Sequence, residues 1–398
     1  MNRKKPIIGF FSLHFDPPIG GAERSMANVF YKLKDHLDIR VFCFLEQNGK
    51  KFNQTISEYK DGIRITRTAL SLERVVEDFI HNENPDYIGT MLIGSNLVIN
   101  IAARRKIPVL FFAHGLFEDI CQHYLRDTCE YNDLKTCNNY GCINTVVNNM
   151  KKIQYSYCKK IYCNSEYTSS IFFKFFPNIS EKISVLYPDF NCDLFYSDKT
   201  NRDKKMVLAV NSMITKGRNI VRALAIRNPD LKFIYVDCKQ DDIEYLSEAS
   251  NIKTIGYVPP EELSLLYKKS GAYICPTYMQ ETFGCTVAEA ILSGTPVVAM
   301  GRGNINNLIK DGKNGFLMNT LSIDEWDSKL QKAINMTPDD KIRRDFYSKL
   351  KMNTSEVIIN DICGEIKFTK EEKIEEKEDV IVISREHRRK SIKKYGFV

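Results

Sequence analysis

The segment 281–299, ETFGCTVAEAILSGTPVVA, holds the residue types best suited to chemistry. Glu281 follows a strand-like run at 272–276. Gly284 opens a helical pattern carrying Glu289, and Gly294 ends it before a second apolar run at 296–300. A helix N-terminus preceded by glycine offers unpaired N–H groups and the positive end of a dipole, which suits a diphosphate. The amides in question lie around Gly284, at Phe283, Cys285 and Thr286. The two carboxylates can each grip a pair of vicinal hydroxyls, Glu281 on a sugar and Glu289, nearly two turns into the helix, on a ribose. This pattern reads as a site for a nucleotide-diphosphate sugar.

Two further positions belong with it. Gly20 and Gly21 follow the first strand and open the next helix, where glycine lets backbone approach a ligand and a second helix terminus favours anions. His114 ends the strand-like run 108–114, and in parallel α/β sheets ligands lie at the carboxyl ends of strands.

The elements that must position these residues form a βαβ rhythm. Strands are predicted at 6–13, 38–45, 86–91, 108–114, 160–164 and 182–187, with helices at 22–36, 95–106, 144–160 and 168–176. After a polar stretch at 196–204 the rhythm restarts, with strands at 206–210, 231–237, 252–258, 272–276 and 296–300. Helices fit at 217–228, 241–249, 260–270, 284–293, 304–310 and 323–335. The expectation is an α/β chain of two doubly wound, Rossmann-like parallel-sheet domains facing across a cleft. The first spans 1–195, with a cysteine-rich insertion at about 115–143, and the second spans 196–366. A charged tail occupies 367–398.

Composition excludes several classes. No apolar run approaches the ~18 residues a membrane span requires, and the N-terminal apolar run is broken by His14 and Asp16, unlike an export signal. The default compartment is therefore the cytoplasm. A net charge of +7 favours anionic partners, but no nucleic-acid-binding motif accompanies it, so nucleic acid is not expected as a partner. Cys121, Cys129, Cys137 and Cys142 crowd one segment without a C-x-x-C pair, which favours small loop residues over a metal site. The chain has no Asp-x-Asp pair to hold a divalent cation against a diphosphate, so no metal is expected to be required. The aromatic, basic stretch 170–183 fits core packing between two strands, with peripheral membrane contact as the alternative.

The segment from Glu281 resembles the signature of the family-four glycosyltransferases, retaining enzymes of GT-B architecture. Every fixed position of their pattern E-x-F-G-x-x-x-x-E-A-x-x-x-G-x-P-V-V-A is present. The Gly20-Gly21-Ala22-Glu23 run is similar to the family's Gly-Gly-Ala-Glu motif, and 188–195 to its junction segment, with Asp193 as an inter-domain element. The resemblance implies that Glu281 and His114 orient the donor sugar. Glu289 and the turn at Tyr257 and Val258 would hold the nucleoside, and the amides of Gly20 and Gly21 would face the donor or acceptor. Lys216 would stabilise the departing diphosphate. Asn211 stands where the family carries an arginine, so Arg218 is the expected substitute, and Asn307 lies where a glutamate is common. The implied acceptor is a glycan, a lipid-linked sugar or another hydroxyl compound, and the implied process is polysaccharide biosynthesis. A catalytically weak sugar-nucleotide or glycan-binding protein and a nucleotide-sugar epimerase are the alternatives.

Overall fold

In the computed structural model, which describes residues 5–18, 20–46, 50–91, 94–115, 154–197, 201–238, 240–351 and 354–363, the apolar runs assemble into two sheets. The first contains β1 (Ile7–Ser12), β2 (Asp38–Cys43), β3 (Ile56–Lys60), β4 (Ile63–Arg67), β5 (Tyr87–Met91), β6 (Val109–Ala113), β7 (Cys158–Cys163) and β8 (Ile183–Val185). The second contains β9 (Asp203–Val210), β10 (Lys232–Val236), β11 (Ile252–Thr254), β12 (Ser270–Cys275), β13 (Val297–Met300) and β14 (Gly315–Met318). The cysteine cluster, the insertion beyond residue 115 and the charged tail lie outside the described residues.

Central strands such as β1, β6 and β12 are buried at every position. Helices cover both faces of such strands, so they read as continuous apolar runs and not as an alternation. The second sheet has the order β11-β10-β9-β12-β13-β14, with parallel pairing throughout. Renumbered from β9, this is the 3-2-1-4-5-6 order of a Rossmann sheet, which reverses direction between β9 and β12. The first sheet, β3-β4-β2-β1-β5-β6-β7-β8, repeats that logic around β1 and β5. The expected pair of doubly wound domains is therefore present.

The first sheet also carries an element that the strand pattern did not suggest. β3 pairs antiparallel with β4 through Asp61 and Gly62, both at positive φ. An Asp-Gly pair is the residue choice of a tight two-residue hairpin turn. Every residue of β3 is exposed, as befits an edge strand that covers no core. A helix at Leu72–Glu83, capped by Ser71, follows the hairpin. It seats Phe79 so close to β1 that a side chain at Gly9 would meet the ring at 2.2 Å.

The stretch 170–183 packs inward. Ile171, Phe172, Phe176 and Ile179 are buried in the core of the first domain, while Phe173 stays exposed. Among the described residues no helix is long and apolar enough to cross a membrane.

The end of the described chain differs from the expected boundary. Residues 196–366 were assigned to the second domain, yet the helix Thr354–Cys363 lies against the first sheet. Ile358, Ile359 and Ile362 join the core built by Phe10, Phe30 and Phe112. The Tyr162 hydroxyl donates to Asp361 at 2.8 Å, and the Tyr87 hydroxyl donates to the Ile362 carbonyl at 3.0 Å. An apolar helical stripe announces burial but not which sheet receives it. Because Ile358 is fully buried there, Ile358→Ala should cost about 2–4 kcal/mol. Denaturant unfolding followed by a probe in the first domain checks this. A midpoint unchanged from wild type would place the helix elsewhere.

Candidate active site

The carboxyl ends of both sheets open onto one cavity of about 780 Å³. Its walls come from the turns after β1, β6 and β7 on one side and after β9, β10 and β12 on the other. This is where doubly wound sheets bind ligands.

Lys216 and Glu281 form an ion pair inside it. Lys216 ends a 3₁₀ turn, Ile214–Lys216, and Gly217 follows at φ +80°. A side chain at Gly217 would strike the Pro276 carbonyl at 2.1 Å, so glycine lets this turn press against the end of β12. The Tyr278 amide donates to the Thr215 carbonyl at 2.9 Å and fastens the two loops together. Glu281 also accepts from the Thr277 hydroxyl at 3.1 Å. Burial works against the Lys216 charge, but the adjacent Glu281 carboxylate outweighs it and raises the lysine above its ordinary pKa. The ammonium therefore stays charged within the cavity.

Glu289 lines the same cavity from the helix Cys285–Leu292. It is buried, with the buried Tyr267 hydroxyl beside its carboxyl. Burial pushes the carboxyl up to about 7, and Arg24 of the first domain partly offsets this. A carboxyl group at the wall of a cavity is suited to accept from a hydroxyl-bearing ligand.

Two helix N-termini converge at this point. Gly284 precedes the helix Cys285–Leu292 at φ +89°, in the left-handed region. Opposite it, Gly20 precedes the helix Gly21–Leu33. A side chain at Gly21 would come within 3.3 Å of the Cys285 sulfur, so glycine permits the two termini to approach. Desolvation pushes the Cys285 thiol up to about 12.

His114 lines the cavity at the end of β6, and burial lowers its imidazole to about 4, so it is neutral at physiological pH. Val258, Phe283 and Thr286 also line the wall, with Tyr257 largely exposed beside them. Phe283 has a structural share as well, with ring centroids 6.4 Å from both Tyr187 and Phe190.

Three sequence candidates stand differently. Arg218 does not line the cavity. It pairs with Asp242 and lies over the Tyr245 ring, so it does not take the place offered by Asn211. Asn211 reaches the wall, but its side-chain oxygen accepts from the Met213 amide at 3.1 Å and caps its own turn. Asn307 donates to Asn304, which in turn donates to the Phe283 carbonyl at 2.9 Å, so Asn307 braces the loop from behind.

Residues 197–353 match the family model described as Glycosyl transferases group 1. Over that stretch the second domain is similar to that family. Over 80 residues the chain is 35% identical to the D-inositol 3-phosphate glycosyltransferase of Corynebacterium aurimucosum, an alignment covering 20% of this chain and 19% of that protein. The chain spans between about a fifth and a half of the length of the first curated relatives it matches. Sucrose-phosphate synthase from Thermosynechococcus elongatus superposes with a TM-score of 0.63 at 15% identity, over 87% of this chain and 95% of that one. HepE from Anabaena, solved in complex with UDP and glucose, gives 0.59 at 18% identity, over 90% and 98%. At such identities the likeness is one of fold, and the fold is GT-B.

The second domain does not build the site alone. Arg24 lines the cavity from the first turn of the first domain's helix, and Asn164 lines it from the end of β7. Sequence reasoning had not selected either. Arg24 directly follows the Gly-Gly-Ala-Glu run, which is a usable signal, whereas nothing local marks Asn164.

The Glu289 shift has a definite sign. The folded state keeps a proton that the unfolded carboxyl releases near 4.5, so stability falls as pH rises from about 4.5 to about 7 and is level above that. The penalty is about 3 kcal/mol at most. Glu289→Gln should therefore melt higher than wild type at pH 8 and no higher at pH 4.5. Calorimetry across that range checks it, and a uniform effect at both ends would contradict the assignment.

Proposed function

We propose that this chain transfers a sugar from a nucleotide-diphosphate donor to a hydroxyl acceptor, in glycan or polysaccharide biosynthesis. The observation that carries the reading is the convergence, in one cavity, of the Lys216–Glu281 pair, the buried Glu289 carboxyl and two helix N-termini. On this reading Glu289 accepts hydrogen bonds from the ribose, and Tyr257 and Val258 border the base. The amides of Gly284, Cys285 and Thr286, with those of Gly20 and Gly21, face the diphosphate.

Charge develops on the bridging oxygen as the sugar leaves. Lys216 and Arg24 supply fixed positive charge there, and the two helix termini add their dipoles. These groups support a transfer that needs no divalent cation. Neutral His114 and Glu281 orient the sugar from opposite domains. Retention of configuration, with the acceptor attacking on the face the diphosphate leaves, follows from the family resemblance. It is supported by Glu281, whose Oε1 is already engaged by Lys216 and Thr277, a poor state for a carboxylate nucleophile. The acceptor enters from the first domain as a glycan or lipid-linked sugar.

A second reading, a sugar-nucleotide-binding protein with weak turnover, is favoured by one observation: Arg218 is drawn away from the cavity by Asp242. A thermal-shift panel of UDP, GDP, ADP, CMP and their sugar conjugates tests the donor site. Stabilisation of several degrees by one nucleoside diphosphate, unchanged by EDTA and lost in Glu289→Ala, is the expected result. Stabilisation that disappears with EDTA would remove metal independence, and no response from folded protein would remove the donor reading.

A further inference from the structure

Thr282 follows Glu281 in the loop after β12, yet its polar atoms face the first domain. Its hydroxyl donates to the His114 carbonyl at 2.8 Å and accepts from the Asn164 side-chain amide at 3.0 Å. The Thr282 carbonyl accepts from the Ser165 hydroxyl at 2.5 Å.

The receiving turn is built for this contact. Asn164, Ser165 and Thr168 are all buried. Ser165 caps the helix Glu166–Phe175 by accepting from the Thr168 amide at 3.1 Å, which leaves its single O–H free to reach into the other domain. The Thr168 hydroxyl also donates to the Asn164 side-chain oxygen at 2.8 Å. That bond fixes the Asn164 amide so that its NH₂ points at both Thr282 and the His114 carbonyl, the latter at 3.3 Å.

The second domain braces the loop from its other side. The Asn304 amide donates to the Glu281 carbonyl at 2.8 Å. Gly303, at φ +60°, has no room for a side chain, which would meet that same carbonyl at 2.3 Å. The segment 281–282 is thus clamped between Asn304 behind and the Asn164–Thr168 turn in front.

From this geometry we propose that Thr282 is a positioning residue that sets Glu281 relative to His114 only when the two domains meet. One hydroxyl oxygen ties the backbone carrying His114 to the backbone carrying Glu281. When the domains part, the loop keeps its rear brace and loses its front one, so Glu281 leaves its working position while the Glu289 end of the cavity stays intact. Docking of the first domain then completes sugar orientation, while Glu289 is already held on the second domain's own helix. Such a device discourages attack on the sugar by water before the acceptor domain is in place. The proposal rests on the glycosyltransferase reading for its kinetic consequences, but its structural claim stands apart from that reading.

The test compares Thr282→Val, which keeps shape and loses the hydroxyl, with Thr282→Ser, which keeps the hydroxyl. Melting temperature confirms that both fold. In steady-state transfer assays Thr282→Val should lower kcat about tenfold or more, since small misplacement of a reacting group is costly. The nucleoside diphosphate Kd, measured by calorimetry, should stay within about threefold of wild type, and Thr282→Ser should restore most of kcat. Small-angle scattering of ligand-free protein should show a more open shape for Thr282→Val than for wild type. A wild-type kcat in folded Thr282→Val overturns the proposal, and so does a nucleotide affinity that falls as far as kcat. If wild-type protein binds no nucleotide, the functional reading fails and scattering alone decides, with identical shapes for the two proteins overturning the latch.

Discussion

A lysine and a glutamate held together inside a half-buried cavity set the terms for the rest of the molecule. Lys216 loses hydration there, and the neighbouring Glu281 keeps it charged. Such a pair persists only if both backbones are fixed, because the Coulomb gain must exceed the desolvation cost at a single geometry. Gly217 lets the Lys216 turn lie on Pro276, and Gly303 lets the Glu281 carbonyl be braced from behind. Both glycines occupy positive φ, so local backbone chemistry serves the position of one ion pair.

The second demand on the fold is the accumulation of positive potential without a loss of solubility or packing. Parallel sheets provide it through connectivity: every strand ends at the same edge, and the following helix begins there with its amides exposed. Two such edges face each other, and Gly21 and Gly284 bring the helix termini close. The first domain adds Arg24, whose charge partly relieves the buried Glu289 on the other side. The two halves are thus electrostatically incomplete when apart. The hydrogen bonds at Thr282 give the same dependence a geometric form.

Much of this was legible in the sequence because the two determining signals are local. The strand–helix rhythm marks the central strands of both sheets but not β3, β4 or β14, and the run from Glu281 to Ala299 carries its own turn, helix start and carboxylates within one unit. Signals that depend on tertiary partners were not legible. The Asp61-Gly62 hairpin had a sound turn signature, but exposed β3 lacks the apolar alternation that announces a strand. The helix at Thr354–Cys363 shows its apolar stripe without naming the sheet that receives it. Arg218 was a reasonable cation for the diphosphate until Asp242, distant in sequence, was seen to hold it. Asn164 and Thr282 look like ordinary polar residues until the two domains are placed together.

The proposed function requires the cavity to cleave the bond between a sugar and a nucleoside diphosphate, with Lys216 as a fixed cation beside it. It is tested by the release of nucleoside diphosphate from nucleotide sugars, with an added sugar hydroxyl or, more slowly, water taking the glycosyl group, by wild-type protein and by Lys216→Ala, each folded and at saturating donor. The account predicts measurable release by wild type, lower by about 100-fold or more in the variant, in line with the loss of one charge-stabilising group. Equal release by the two proteins would contradict it.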